Sequence, residues 1–169
     1  MTLRPFDPIR ALKMLADHRV RFVVIGGFAG RLWGSTTVTN DLDVCYARDR
    51  KNLEALAAAL RELEATLRGA PDGLPFRADA ETLASGDHFT FATNAGNLDC
   101  LGSPAGSGGF MDLIAGATGM KLDSIEVPVA SLDDLIRLKR AAGRPKDLVE
   151  VEILGALREE IALGSVLKS

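Results

Sequence analysis

Apolar positions along this chain switch between two periods. After Asp7-Pro8, which supplies a capping side chain and a proline at the first helical position, Ile9, Leu12 and Leu15 recur at helical spacing. Arg21 to Ile25 is β-branched and apolar and predicts a buried strand, ended by Gly26-Gly27. A short helix is expected from Phe28 to Trp33, stopped at Gly34, with a polar loop over Ser35 to Asn40. Asp41-Leu42-Asp43-Val44-Cys45-Tyr46 alternates polar and apolar, the period of a strand with one covered face.

Asp49 caps a long predicted helix carrying Leu53, Leu56, Leu60, Leu63 and Leu67, broken by Gly69 to Gly73. Phe89 to Thr93 and Gly96 to Leu101 read as two strands joined by Asn94-Ala95-Gly96, a hairpin signal. Gly102 to Gly109 is expected to be a flexible loop, Phe110 to Ala117 a short helix, and Thr118 to Val129 one or two short strands. Ser131, with Asp134 three residues on, resembles a capping box and opens a helix to about Ala142. Gly143 ends it, and Pro145 starts a last helix through Leu157 or further. Strands and helices interleave without a regular βαβ repeat or an internal linker. The expected fold class is therefore α+β, a mixed β-sheet packed by helices, in a single domain over 1–169 with C-terminal helices, about 131–164, packing on its core.

Composition narrows the function classes. At 169 residues the chain has room for one real core; 47% apolar and 25% charged residues are ordinary for a globular protein. A net charge of −3 excludes the global basic field of a non-specific nucleic-acid binder. The first residues lack a leader-like apolar stretch, and no apolar run approaches the roughly 18 residues that span a membrane, so a cytoplasmic protein with no membrane partner is expected. Cys45 and Cys100 do not make a disulfide scaffold, and with two distant histidines they fall short of a zinc site; small buried hydrophobes are the expected role.

The candidate chemistry sits in Gly26-Gly27 and Asp41-Leu42-Asp43. Strand residues two apart share a face, so Asp41 and Asp43 present two carboxylates side by side, an arrangement that favours a hard cation such as Mg²⁺ in the gap. A solvated strand end at a turn would carry the same Asp-x-Asp. Gly26-Gly27 lets the backbone approach a phosphate closely, with helix amides behind it, or simply makes a tight turn. Lys139, Arg144 and Lys146 form a local basic cluster, read either as a clamp on phosphates or as a solvated helix end. Asp147 falls in the first turn of the last helix, where the dipole alone welcomes a carboxylate.

Taken together, Ile25-Gly26-Gly27-Phe28-Ala29, Gly34, and Thr39-Asn40-Asp41-Leu42-Asp43 resemble the DNA polymerase β-type nucleotidyltransferase superfamily. With Leu135-Ile136-Arg137-Leu138-Lys139 and Gly143-Arg144-Pro145-Lys146-Asp147, the likeness narrows to small bacterial proteins related to the AbiEii-type toxins and spans about residues 20 to 155. The resemblance implies a palm-like nucleotidyltransferase fold and a third carboxylate on a later strand, matched by Asp99. It implies Mg²⁺ (or Mn²⁺) on Asp41, Asp43 and Asp99. A nucleoside triphosphate is expected at Gly26, Gly27, Thr39, Lys139, Arg144 and Lys146, with Lys139 and Asp147 also in the active centre. The implied reaction moves NMP from the triphosphate to an acceptor hydroxyl on RNA (tRNA in particular) or a protein, with a cognate antitoxin as partner. Two positions depart from the wider pattern: Gly27 replaces the commoner serine, and Thr37 stands where a basic residue is expected. A degenerate binding or regulatory module is the alternative. An antibiotic nucleotidyltransferase is disfavoured because about 25 residues after Gly143 leave little room for an acceptor domain.

Overall fold

The computed structural model describes residues 5–71 and 76–168, with side chains to 164. Residues 1–4 of the leader reading, and Asp72 and Gly73 of the predicted helix break, lie outside them. The elements are α1 (Pro8–Asp17), β1 (Phe22–Ile25), α2 (Gly26–Trp33), β2 (Asp41–Tyr46), α3 (Arg50–Glu62), β3 (Thr66–Leu67), α4 (Ala80–Ala84), β4 (His88–Thr93), β5 (Gly96–Leu101), α5 (Phe110–Ala115), β6 (Thr118–Leu122), β7 (Ile125–Val129), α6 (Leu132–Ala142) and α7 (Pro145–Lys168). Seven strands form one sheet in the order β3-β4-β5-β2-β1-β7-β6. β2 pairs antiparallel with β1 and parallel with β5, so the sheet is mixed, as the interleaved pattern predicts.

All four residues of β1 are buried, as a strand covered on both faces requires. Helix α2 packs on β1, β2 and α6; α1 packs on α3 and β7; α6 packs along α7. The predicted caps are used: Asp7, Asp49 and Ser131 each accept the backbone N–H three residues on.

Three expectations need correction. The helix α2 starts at Gly26 rather than Phe28, so the Gly-Gly pair is its first turn. The helix α3 stops at Glu62, and Leu67 belongs to β3, not to the helical stripe. Glu64 takes a left-handed φ of 52°, with Glu64 N–H on Arg61 O and Ala65 N–H on Leu60 O. These are the two bonds of a Schellman ending made without glycine, which is why composition did not signal it. Finally, the loop Gly102 to Gly109 is held to the fold: Ser103 N–H donates to Asp87 (3.0 Å), and a Cβ on Gly106 would lie 2.6 Å from Ala141 of α6. The short helix α4 went unread in the sequence.

Candidate active site

The alternation of β2 buries Leu42 and Val44 and leaves Asp41 and Asp43 on the other face. Parallel pairing with β5 then sets Asp43 directly opposite Asp99, and Asp41 opposite Asn97, whose amide donates to Asp41 Oδ1 at 3.0 Å. The structure thus brings together the three carboxylates the sequence singled out, the third only through strand pairing.

Asp43 carries the strain of this crowding. Burial, the neighbouring Asp99 carboxyl, with which it shares a hydrogen bond, and the Asp41 charge push its pKa from 3.8 up to about 7; Lys139 works in the opposite direction. Asp99 Oδ1 is fully buried and accepts no well-directed hydrogen bond, although Arg68 Nη2 lies 2.8 Å away. The hard oxygen donors of Asp41 and Asp43, side by side on β2 and without an ion pair among the described residues, fit a divalent cation. Among the described residues no group of three or more His, Cys, Asp or Glu side chains is placed to hold a metal ion.

Gly26 and Gly27 open α2 beside this centre. Gly26 has φ +74°, and a Cβ there would overlap Asp43 Oδ2; a Cβ on Gly27 would lie 3.1 Å from Thr39. No side chain caps this helix start, which leaves its first N–H groups available to an anion. Thr39 Oγ1 donates to Asp41 O (3.1 Å) and fixes the entry to β2. Thr37, where the resemblance expects a base, donates its hydroxyl to Glu150 (2.5 Å), while Arg31 donates to its carbonyl (3.1 Å).

The basic cluster is organised by Asp147. Its fully buried carboxylate accepts from Arg144 Nε (2.6 Å) and Nη2 (3.2 Å) and lies 3.5 Å from Lys139 Nζ. These contacts, the Arg144 hydrogen bond foremost, hold its carboxyl below the usual range. Asp147 therefore orients Lys139 and Arg144, and Lys146 stands exposed at the rim of the same cleft. Glu150, one turn further on, is buried and accepts from Ser35 (3.0 Å) as well as Thr37, tying α7 to the loop before β2. Sequence reasoning missed both Glu150 and Arg68. Asp147, Glu150 and Leu154 share one face of α7, so two acids on a core-facing stripe were the available signal for Glu150.

Two clefts meet at Asp43, Lys139, Arg144 and Asp147. One, of about 370 Å³, is polar and runs past Gly27, Thr39, Asp41 and Lys146. The other, of about 520 Å³, has an apolar wall from Ile25, Leu101, Pro104, Leu135 and Leu138, with His88 at its edge. The weaker candidates are structural: Cys45 and Cys100 are free and buried, Trp33 donates to Ala130 O (2.9 Å), Phe28 packs edge-on against Phe6, and His18 pairs with Glu62 at the end of α1.

No protein-family model matches the chain, and no curated protein matches it in sequence. Solved structures do match. The lincosamide antibiotic adenylyltransferase LnuA, with lincomycin bound, aligns at TM-score 0.57 and 12% identity over 88% of this chain and 94% of its own. The antibiotic-resistance factor ANT(2'')-Ia aligns at 0.53 and 16% over 95% and 92%, and TM1012 from Thermotoga maritima at 0.51 and 16% over 91% and 92%. The fold is that of the nucleotidyltransferases. The chain thus spans nearly the whole length of LnuA and of ANT(2'')-Ia. Among the described residues no helix is long and apolar enough to cross a membrane.

Proposed function

We propose that this chain is a Mg²⁺-dependent nucleotidyltransferase that moves NMP from a nucleoside triphosphate to an acceptor hydroxyl. The observation that carries this reading is the register that sets Asp43 against Asp99, two residues from Asp41, beside the uncapped start of α2. Asp41 and Asp43 would hold the cation, which when bound polarises the α-phosphate and offsets charge on the departing pyrophosphate. The N–H groups of Gly26 and Gly27 receive phosphate oxygens, and Thr39 keeps the strand entry in place. Lys139 and Arg144, oriented by Asp147, reach the polar cleft and counter the triphosphate charge, joined at its rim by Lys146. Asp99 takes the acceptor proton as the new P–O bond forms and the bond to pyrophosphate breaks. Positioning and electrostatics supply most of the rate.

The AbiEii-type likeness points to RNA, tRNA in particular, or a protein as acceptor, and to a cognate antitoxin as partner. A second reading of the acceptor, a small hydroxyl-bearing molecule, is favoured by the apolar wall of the larger cleft and by the antibiotic-modifying neighbours. The test is titration with MgATP, MgGTP, MgCTP and MgUTP beside an Asp41→Ala/Asp43→Ala double variant. Metal-dependent binding lost in the variant is expected. A folded wild-type protein that binds no triphosphate rejects the enzyme and leaves the degenerate module.

A further inference from the structure

Asp41, Asp43 and Asp99 are not equivalent in the charges built around them. Among the described residues neither Asp41 nor Asp43 forms an ion pair, whereas Asp99 Oδ1 lies 2.8 Å from Arg68 Nη2. Arg68 is placed by several independent restraints. The Schellman turn after α3 throws the chain into β3, which pairs with Phe91 and Ala92 of β4. Arg68 N–H then donates to Thr90 O at 2.9 Å, and Thr90 is the antiparallel partner of Asp99. At the other end of the side chain, Nη1 donates to Phe91 O at 3.1 Å. Arg68 is thus anchored through its backbone N–H and through Nη1, its side chain is about a quarter exposed, and Nη2 lies against a carboxylate that is itself 17% exposed.

A guanidinium keeps its charge at any pH at which the protein folds, and it has no lone pair to offer a metal. At 2.8 Å from Asp99 Oδ1 it takes up space beside that oxygen and adds a positive charge that a divalent cation would have to approach. Lys139, whose charge also acts on Asp43, forms its ion pair with Asp147, at 3.5 Å, and none with Asp99.

Resting on the metal-centre reading above, we propose that the centre takes one divalent cation, on Asp41 and Asp43, and that Arg68 stands in for a second at Asp99. Asp99 is then a proton acceptor positioned by Arg68, not a metal ligand, which revises the three-carboxylate metal set implied by the resemblance.

The test is Mn²⁺ titration of the purified full chain, with free Mn²⁺ read by electron paramagnetic resonance and folding followed by circular dichroism. One Mn²⁺ per wild-type chain is expected, unchanged in Asp99→Asn and lost in Asp41→Asn/Asp43→Asn. Arg68→Gln is expected to bind two, the second disappearing when Asp99→Asn is added. Two Mn²⁺ on the wild type, one of them lost in Asp99→Asn, overturns the inference and leaves the metal centre standing. A folded Arg68→Gln that still binds one overturns the role of Arg68. No Mn²⁺ on the wild type, or binding that survives loss of Asp41 and Asp43, removes the metal-centre reading and this inference with it. Should Arg68→Gln not fold, the wild type and Asp99→Asn decide.

Discussion

Gly26 lies so close to Asp43 that a Cβ at position 26 would occupy the space of the Oδ2 atom. The contact joins the first turn of α2 to the strand that carries two carboxylates, and it exists because Gly26 adopts φ +74°, a conformation that L side chains rarely take.

The two glycines should therefore respond differently to substitution. Gly26→Ala combines left-handed strain with displacement of Asp43 and is expected to lower stability by about 2 kcal/mol or more and to abolish metal-dependent nucleotide binding. Gly27→Ser meets only Thr39, at 3.1 Å, and should fold with little loss. Chemical denaturation and nucleotide titration of both variants check this. Equal tolerance of the two substitutions would show that the close approach to Asp43 is not needed.

The raised pKa of Asp43 makes stability depend on pH with a definite sign. Between about 4 and about 7 the folded protein binds more proton at this site than the unfolded chain does. Asp43's stabilising contribution is thus complete below 3.8, falls as pH rises through that window and is gone above it. Without divalent metal, Asp43→Asn should melt about 3 °C or more above the wild type at pH 8, with the gap closing near pH 4. Mg²⁺ should then raise the wild-type melting temperature and leave that of the variant unmoved. A variant less stable than the wild type at pH 8 without metal would contradict this account of Asp43.

Asp147 is expected to act through its neighbours. Asp147→Asn removes the buried negative charge and one of the two acceptor oxygens that orient Lys139 and Arg144, and sets an amide NH2 against those cations, at a cost of about 2–3 kcal/mol. Its functional mark should be a rise in KM for the triphosphate of about tenfold, with kcat changed less. A large fall in kcat at unchanged KM would instead place Asp147 in contact with the reacting atoms.

Local chemistry determined much of this molecule. Caps at Asp7, Asp49 and Ser131, the alternation through Asp41 to Tyr46, and the hairpin at Asn94 to Gly96 are short-range signals, and the chain obeys them. The pair Asp41 and Asp43 was legible for the same reason, because a strand places alternate residues on one face. What the local pattern could not carry is what depends on which strands become neighbours. Pairing of β2 with β5 sets Asp99 against Asp43, across 56 residues of chain, and lifts the carboxyl pKa of Asp43. Leu67 continues a helical stripe by period alone, yet a left-handed Glu64 turns the chain into an edge strand and delivers Arg68 to Asp99. Glu150 is enclosed with Ser35 and Thr37 only because α7 docks against the loop before β2. Hydrophobic period and capping are set by residues within a few positions of each other, whereas burial and ion pairing are properties of side chains that only the completed sheet and its packed helices bring together.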